Sequence, residues 1–386
     1  MKITDVTTLI VYAYRTNWTF VQIHTDEGIT GVGEATLEYN EQALLGAIED
    51  IKPYLIGQNP LDIEAHYARI YRDRYFRGGP VFMSALSAVE TCLWDINGKS
   101  LGVPVYRLLG GKCRDRIKIY ANGWFANASK PEEFARQAVQ ACERGIRALK
   151  WDPFGKAYLT LTNAELDKAL QCIGAVREAV GSEVDLLIEG HGRFNIPTAV
   201  QVARELEPFK PLFFEEPIAP DYMEGLGQVK ERSRIAIAAG ERLYSKFEFR
   251  DLLAREAVDF IQPDVSHAGG IMECKKIAAM AESYHIPFAP HNPSGPVANA
   301  ATLQLAACVP NFYILEIMLT DVPWRSGLTD ESLILEDGCL RIPDKPGIGI
   351  TIDEEEARRY PWKPVQLRHY TGELTAIRPP EAVPYF

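Results

Sequence analysis

Six short apolar runs in the C-terminal two thirds of the chain each stop on an acid or a histidine. Asp185-Leu186-Leu187-Ile188 leads into Glu189, Leu212-Phe213-Phe214 into Glu215, and Ala236-Ile237-Ala238-Ala239-Gly240 into Glu241. Phe260-Ile261-Gln262-Pro263 then leads into Asp264, Pro287-Phe288-Ala289-Pro290 into His291, and Tyr313-Ile314-Leu315 into Glu316. The six end residues follow one another at intervals of 26, 26, 23, 27 and 25 positions. A short continuous apolar run fits a strand buried on both faces, and a strand, a helix and their two loops together take about 25–30 residues. The beat therefore predicts successive β/α units of a TIM-type barrel, in which the C-terminal strand ends converge on one mouth where catalysis resides. Ile117 to Ala121 and Ile146 to Lys150 read as the first two barrel strands, with helices over about 131–144 and 163–180.

Residues 1–115 carry a different pattern. Strands are predicted over Val6 to Tyr14, Thr19 to His24 and Ile29 to Glu34, with Asp26-Glu27-Gly28 as a hairpin turn. Helical periodicity follows over about 40–55, 61–73 and 81–100, the last with Ala85, Val89, Cys92, Leu93 and Ile96 on one face. The expectation is an α+β domain over 1–115, a barrel over 116–330, and a turn-rich tail over 331–386 that returns to the first domain. Two loops, Tyr14 to Trp18 and Arg74 to Pro80, read either as ordinary surface loops or as a lid over the barrel mouth. As a lid they would offer Trp18 and Tyr75 as an aromatic wall and Arg77 as a cation for an anionic substrate.

Composition narrows the partners. The 386 residues carry a formal net charge of −11, which disfavours nucleic acid and anionic membrane. No apolar run is long enough to span a bilayer, and the first residues go directly into strand alternation without a secretory pattern. Seven dispersed cysteines without a CxxC spacing fit reduced thiols in a cytoplasmic protein. No P-loop and no GxGxxG after a strand is present, so nucleotide binding is not indicated.

The strand-end residues carry the chemistry. One such acid alone reads equally well as an exposed loop residue. Glu189, Glu215 and Glu241 aimed at one point would repel one another and would not all stay ionised without a cation. An all-oxygen set points to a hard divalent ion, Mg2+. His191 lies two residues beyond Glu189, so on an extended chain it faces the same side. Lys150 at the second strand end can serve as a base, bind a carboxylate, or close a structural salt bridge. His267 and His285 fall off the strand-end register and read as structural.

These residues resemble the enolase superfamily in its mandelate racemase-type branch, and within it the acid sugar dehydratases. The resemblance spans the whole chain and rests on the segments EGHGRFN, FFEEP, AAGER, QPDVSHAGGI, APHNPSGP and the closing PGIGI. It implies an α+β capping domain on a (β/α)7β modified TIM barrel, and a homo-oligomer. It implies Glu189, Glu215 and Glu241 as Mg2+ ligands, although many relatives carry Asp at the first position. It further implies His291 as general base oriented by Asp264, and Glu316 as hydrogen-bond partner of the substrate carboxylate. His191 would be the acid for the leaving hydroxyl. Racemases of this branch carry a second lysine base where this chain has Asp152, which disfavours two-base racemisation and leaves Asp152, with Lys150, to the substrate.

An α-proton beside a carboxylate is very weakly acidic, so the enediolate must be stabilised where its charge develops, by the cation and a protonated Glu316. A histidine is well matched as the base near neutral pH. The expected reaction is Mg2+-dependent dehydration of an acid sugar, an aldonate such as galactonate or gluconate, to a 2-keto-3-deoxy sugar acid. Cycloisomerisation of a lactone or anhydro sugar acid, or epimerisation, would use the same enediolate. A non-catalytic sugar-acid binding protein would have no use for the Asp264–His291 pair.

Overall fold

Three antiparallel strands open the chain, β1 (Ile3–Tyr12), β2 (Asn17–Thr25) and β3 (Thr30–Glu34), hydrogen-bonded in the order β1-β2-β3. The computed structural model describes residues 1–331, 333–365, 369–370, 379 and 381–385. Helices α1 (Glu41–Leu55), α2 (Ile63–Asp73) and α3 (Pro80–Leu101) follow. Helix α3 is apolar nearly all round and is buried on most of its surface, as expected of a helix enclosed between two layers. Gly31 and Gly33 on β3 let it come close: a Cβ at either would run into the backbone carbonyls of Cys92 and Ala88.

After the short helix α4 (Val105–Leu108) the β/α alternation begins. It runs β4 (Arg116–Asn122), α5 (Pro131–Glu143), β5 (Ala148–Trp151), α6 (Asn163–Val180), β6 (Asp185–Glu189) and α7 (Ile196–Leu206). It continues through β7 (Phe213–Glu215), α8 (Met223–Arg232), β8 (Ile237–Ala239), α9 (Lys246–Ala254), β9 (Phe260–Ile261) and α10 (Gly270–Glu282). Helix α11 (Pro296–Cys308) and β10 (Leu315–Met318) complete it. Strands β4 to β9 pair in parallel, and β10 pairs in parallel with β4, with Glu316 opposite Tyr120. Between β9 and β10 the seventh position shrinks to bridges from Phe288 to Ile261 and to Phe312. Pro287 and Pro290 flank that residue, and each lacks the N–H a full strand would need. The ring is thus a (β/α)7β barrel: β10 is followed by a single helical turn, Arg325–Leu328, rather than by an eighth full helix.

Inside the ring each strand position contributes one residue to a separate cluster: Tyr120, Ala148, Leu187, Phe213, Ala238, Phe260, Ala289 and Ile314. Five large side chains are interspersed with three alanines, so the interior is filled and forms the floor of the mouth. The hairpin Leu335–Glu336 and Cys339–Arg341 pairs antiparallel with the start of β4, at the opposite end.

Helix α3 ties the first domain to the barrel. Ser87 Oγ accepts the Gly269 N–H at 2.8 Å, and Glu90 accepts those of Ile271 at 2.7 Å and Met272 at 2.9 Å. The described part of the tail reaches back as well: Ile348 N–H donates to Asp95 at 2.9 Å, and Tyr12 N–H donates to the Tyr360 carbonyl at 2.8 Å.

Candidate active site

Parallel registration sets the acids side by side. Glu189 and Glu215 are directly paired at the ends of β6 and β7, and Glu241 stands two residues beyond β8. One oxygen from each lies within 4.8 Å of the others. Glu189 Oε2 and Glu215 Oε2 are buried and accept no hydrogen bond, and the Lys150 ammonium stands 3.3 Å from the first. Burial, with like charge added, pushes the Glu189 and Glu215 carboxyls up. Burial also opposes ionisation of Glu241, but His291, Lys150 and Arg242 outweigh it and hold that carboxyl below its usual range. Buried carboxylate oxygens without hydrogen bonds, converging on one point, are the donor set that a hard divalent cation fits.

Lys150, on β5, is 2% exposed. Its Nζ lies 2.8 Å from Glu215 Oε1, 3.1 Å from Glu316 Oε1 and 3.3 Å from Glu189 Oε2. Burial works against its charge, but these acids outweigh burial and raise its pKa well above the ordinary lysine value. Lys150 is therefore a fixed ammonium, unsuited to act as a base.

His291 donates through Nδ1 to Asp264 Oδ2 at 2.7 Å, and Asp264 Oδ1 accepts the Ser266 N–H at 2.7 Å. The other ring nitrogen, Nε2, is turned to the acids, 3.3 Å from Glu241 and 3.9 Å from Glu316. Burial lowers the His291 pKa, but Glu241, Asp264 and Glu316 outweigh it and raise it to about 10. Glu316 accepts from Asn122 Nδ2 at 2.8 Å and from the Asn292 N–H at 3.2 Å. Burial favours its neutral form, but Lys150 and His291 prevail and hold the carboxyl below the usual range. The expected protonated Glu316 therefore meets a lysine at 3.1 Å here, a contact that favours the carboxylate as an acceptor.

Across the mouth, His191 sits in the left-handed region at φ 49°. Glu189 Oε1 accepts its backbone N–H at 2.7 Å, and the Tyr370 hydroxyl donates to its carbonyl at 2.8 Å. Its ring stacks on that of His369, centroids 5.1 Å apart. Its Nδ1 donates to Asp152 Oδ2 at 2.6 Å. Gly192, at φ 65°, makes this bend possible, because a Cβ there would overlap the Arg242 guanidinium.

A cavity of about 290 Å3 joins these groups, lined from the barrel by Lys150, Glu189, His191, Glu241 and His291 and from the first domain by Arg15 and Glu38. Two family models match the chain. One described as Enolase C-terminal domain-like covers residues 133–357, and the mandelate racemase/muconate lactonizing enzyme N-terminal domain covers residues 6–110. The chain belongs to the mandelate racemase/muconate lactonizing enzyme branch of the enolase superfamily. It is 37% identical to a D-galactonate dehydratase of Xanthomonas euvesicatoria pv. vesicatoria, over 97% of this chain and 99% of that one. It is 38% identical to a D-gluconate dehydratase of Thermoproteus tenax, over 90% and 70%. The crystal structure of an enolase superfamily member from Salmonella Typhimurium superposes with a TM-score of 0.88 at 31% identity, covering 93% of this chain and 98% of that one.

For this enolase-superfamily chain, the predicted lid needs correction. Trp18 is in β2, opposite Val11 and 1% exposed, because its alternate partners are core residues of the sheet. Its neighbours Arg15 and Thr16 line the cavity instead. Tyr75 is 91% exposed and outside the cavity lining, and Arg77 lies over the Tyr71 ring. Asp152 lines the cavity, but its oxygens are engaged by the Phe154 N–H, His191 and Arg193, which leaves little for a substrate. His285 is exposed, and His267, read as structural, does line the cavity while its Nδ1 is held by Ser84 Oγ at 2.8 Å. Three contributors went unread: Arg193, fully buried behind Asp152; Asn122, on Glu316; and His369, from the tail. Burial pushes the His369 ring down to about 4, so it stacks as a neutral imidazole. An Arg two residues beyond the glycine-flanked His191 and an Asn at a strand end were the signals available for the first two; the tail offered none.

Proposed function

We propose that this protein dehydrates an aldonate, galactonate or gluconate, to the 2-keto-3-deoxy acid with Mg2+ held by Glu189, Glu215 and Glu241. What carries the reading is that His291 and His191 line one cavity from opposite sides of the acid cluster, each held through Nδ1 by an aspartate. When bound, the divalent ion would supply positive charge where the substrate carboxylate gains electron density. Lys150 adds a second fixed positive charge beside it. With a cation on Glu241 offsetting the charge that otherwise keeps the ring protonated, His291 Nε2 can take the α-proton, with Asp264 holding the ring and stabilising the imidazolium. Glu316, as a carboxylate tied to Lys150 and Asn122, orients that lysine and faces His291. His191 delivers a proton to the β-hydroxyl, which leaves as water, and the enol ketonises. The relatives named as D-galactonate and D-gluconate dehydratases support the substrate class.

The test is incubation with Mg2+ and a panel of aldonates and aldarates, scored for 2-keto-3-deoxy acid as the semicarbazone, with a parallel panel in EDTA. A metal-dependent signal on galactonate or gluconate is expected. Silence across the panel with retained α-proton exchange in deuterated water would favour cycloisomerisation, and silence in both would leave a binding protein.

A further inference from the structure

We propose that Asp152 is a positioning residue that fixes the proton-bearing geometry of His191, with Arg193 as its charge partner. The inference rests on the dehydration reading and deepens it. Strand β5 ends at Trp151, which parallel pairing with β6 sets opposite Ile188, so Asp152 is the first residue beyond the strand. Asp152 is thereby carried alongside the segment that follows Glu189. Its Oδ2 receives the His191 Nδ1–H at 2.6 Å, and its Oδ1 receives the Phe154 N–H at 2.8 Å. Arg193, 1% exposed, pairs with the same Oδ2 and is itself held by the carbonyls of Gly190 at 3.0 Å and Gly155 at 2.9 Å. A buried carboxylate with a buried guanidinium behind it keeps its charge and its place. Burial works against ionisation of Asp152, but Arg193 and His191 prevail.

The consequence is directional. A carboxylate only accepts, so Nδ1 keeps its proton in both states of the ring. Among the described residues no protein group bonds Nε2, and it is the nitrogen left for the cavity. In the elimination the C3–O bond breaks with its electron pair going to oxygen, the pair from the α C–H bond forms the C2–C3 double bond, and the Nε2 proton of His191 completes the departing water. His191 finishes as the neutral Nδ1–H tautomer, the form Asp152 already binds. Without Asp152 the ring is free to rotate or to carry its proton on the wrong nitrogen, while His291, across the cavity with its own Asp264, is untouched.

That separation defines the experiment. In the full-length Mg2+-loaded protein, Asp152→Asn is expected to lower dehydration by about 10²–10⁴-fold, the range for a general acid. Exchange of the substrate α-proton with deuterated solvent should stay within a few-fold of the parent, as should KM. Asp152→Asn placed on a His191→Asn background should cost nothing further, since one residue acts through the other. A substrate carrying fluoride in place of the β-hydroxyl needs less protonation of its leaving group and should recover most of the loss. If the neutral variant fails to fold, Asp152→Glu keeps the charge for Arg193 and moves the acceptor by one methylene, and the same split is expected. Independently of turnover, the His191 Nδ1–H resonance, assigned in 15N-histidine-labelled protein by its loss in His191→Asn, should vanish in Asp152→Asn. Equal losses of exchange and dehydration, an additive double variant, or an unchanged Nδ1–H resonance would overturn the proposal. A parent protein that shows the resonance yet dehydrates nothing would instead overturn the reaction and leave the positioning standing.

Discussion

Removing the Lys150 ammonium is the most direct test of how the acid cluster is held. Its Nζ lies 2.8, 3.1 and 3.3 Å from Glu215, Glu316 and Glu189. At an effective dielectric of about 20, each contact near 3 Å attracts by about 5 kcal/mol. Desolvating the lysine and the acids cancels most of this, at several kcal/mol per ion. What remains is the cost of leaving buried carboxylates without their cation, about 3–5 kcal/mol for the loss of one partner. Lys150→Met keeps the side-chain volume, so packing contributes little. At about 2 °C per kcal/mol for a large domain, the thermal midpoint in EDTA should fall by about 6–10 °C. A divalent cation held by Glu189 and Glu215, two of the three acids that contact Lys150, restores most of the missing charge, so in saturating Mg2+ the deficit should shrink to less than half. The assay is thermal unfolding of both proteins in EDTA and across a Mg2+ titration. A deficit of equal size in EDTA and in Mg2+ would refute the reasoning, because Lys150 and the cation would then not share the same electrostatic task.

Further outcomes follow from individual residues. His291→Asn should abolish α-proton exchange together with dehydration, each by at least about 10²-fold, with an unchanged unfolding midpoint in Mg2+; persistent exchange would remove His291 as the base. Burial pushes the Glu90 carboxyl up to about 8, above its unfolded value of 4.5. Its contribution is therefore full below pH 4.5 and is lost as pH rises through 8. Relative to Glu90→Gln, the parent should lose up to about 1.4 kcal/mol per pH unit across that window, read from denaturant unfolding at several pH values, and a pH-independent difference would contradict it. Tyr75→Ser should leave kcat/KM within about twofold, since Tyr75 is solvent-exposed outside the cavity, and a larger loss would return that loop to the mouth.

What the sequence made legible is what periodicity encodes. The strand-end beat located Glu189, Glu215, Glu241, Asp264, His291 and Glu316 because a parallel barrel puts equivalent positions at one rim. Periodicity cannot say how a loop folds back. Tyr14 to Trp18 reads as an aromatic loop, yet Trp18 continues β2 and enters the core, leaving Arg15 to face the cavity. The pair Tyr75 and Phe76 has the composition of a lid, but in the loop after α2 both are exposed and neither lines the cavity. Charge states were equally hidden. Glu316 as donor or acceptor depends on Lys150, more than 160 positions earlier in the chain, reaching it within 3.1 Å. The link from Asp152 to His191 also joins two loops, and neither segment alone shows it.

The two histidines are built alike, each donating Nδ1 to a buried aspartate, at 2.6 Å for His191 and 2.7 Å for His291. Likeness of build alone would suit an epimerase, in which two bases exchange one proton at one carbon. Their surroundings differ in the direction elimination requires. His291 Nε2 stands 3.3 Å from Glu241 Oε2, which in the proposed reading is beside the carboxylate end of a bound acid, where the α-carbon would lie. Among the described residues His191 meets the acid cluster through its backbone alone, on Glu189, and its ring is backed by His369 from the tail. In the proposed reading its proton falls further along the substrate, at the β-hydroxyl. His191→Asn decides between the two. If elimination holds, solvent deuterium still enters the α-position with retained configuration while the keto product disappears. If His191 serves the same carbon as His291, inversion is lost with the second base, and the parent protein itself must yield an epimer and no 2-keto-3-deoxy acid.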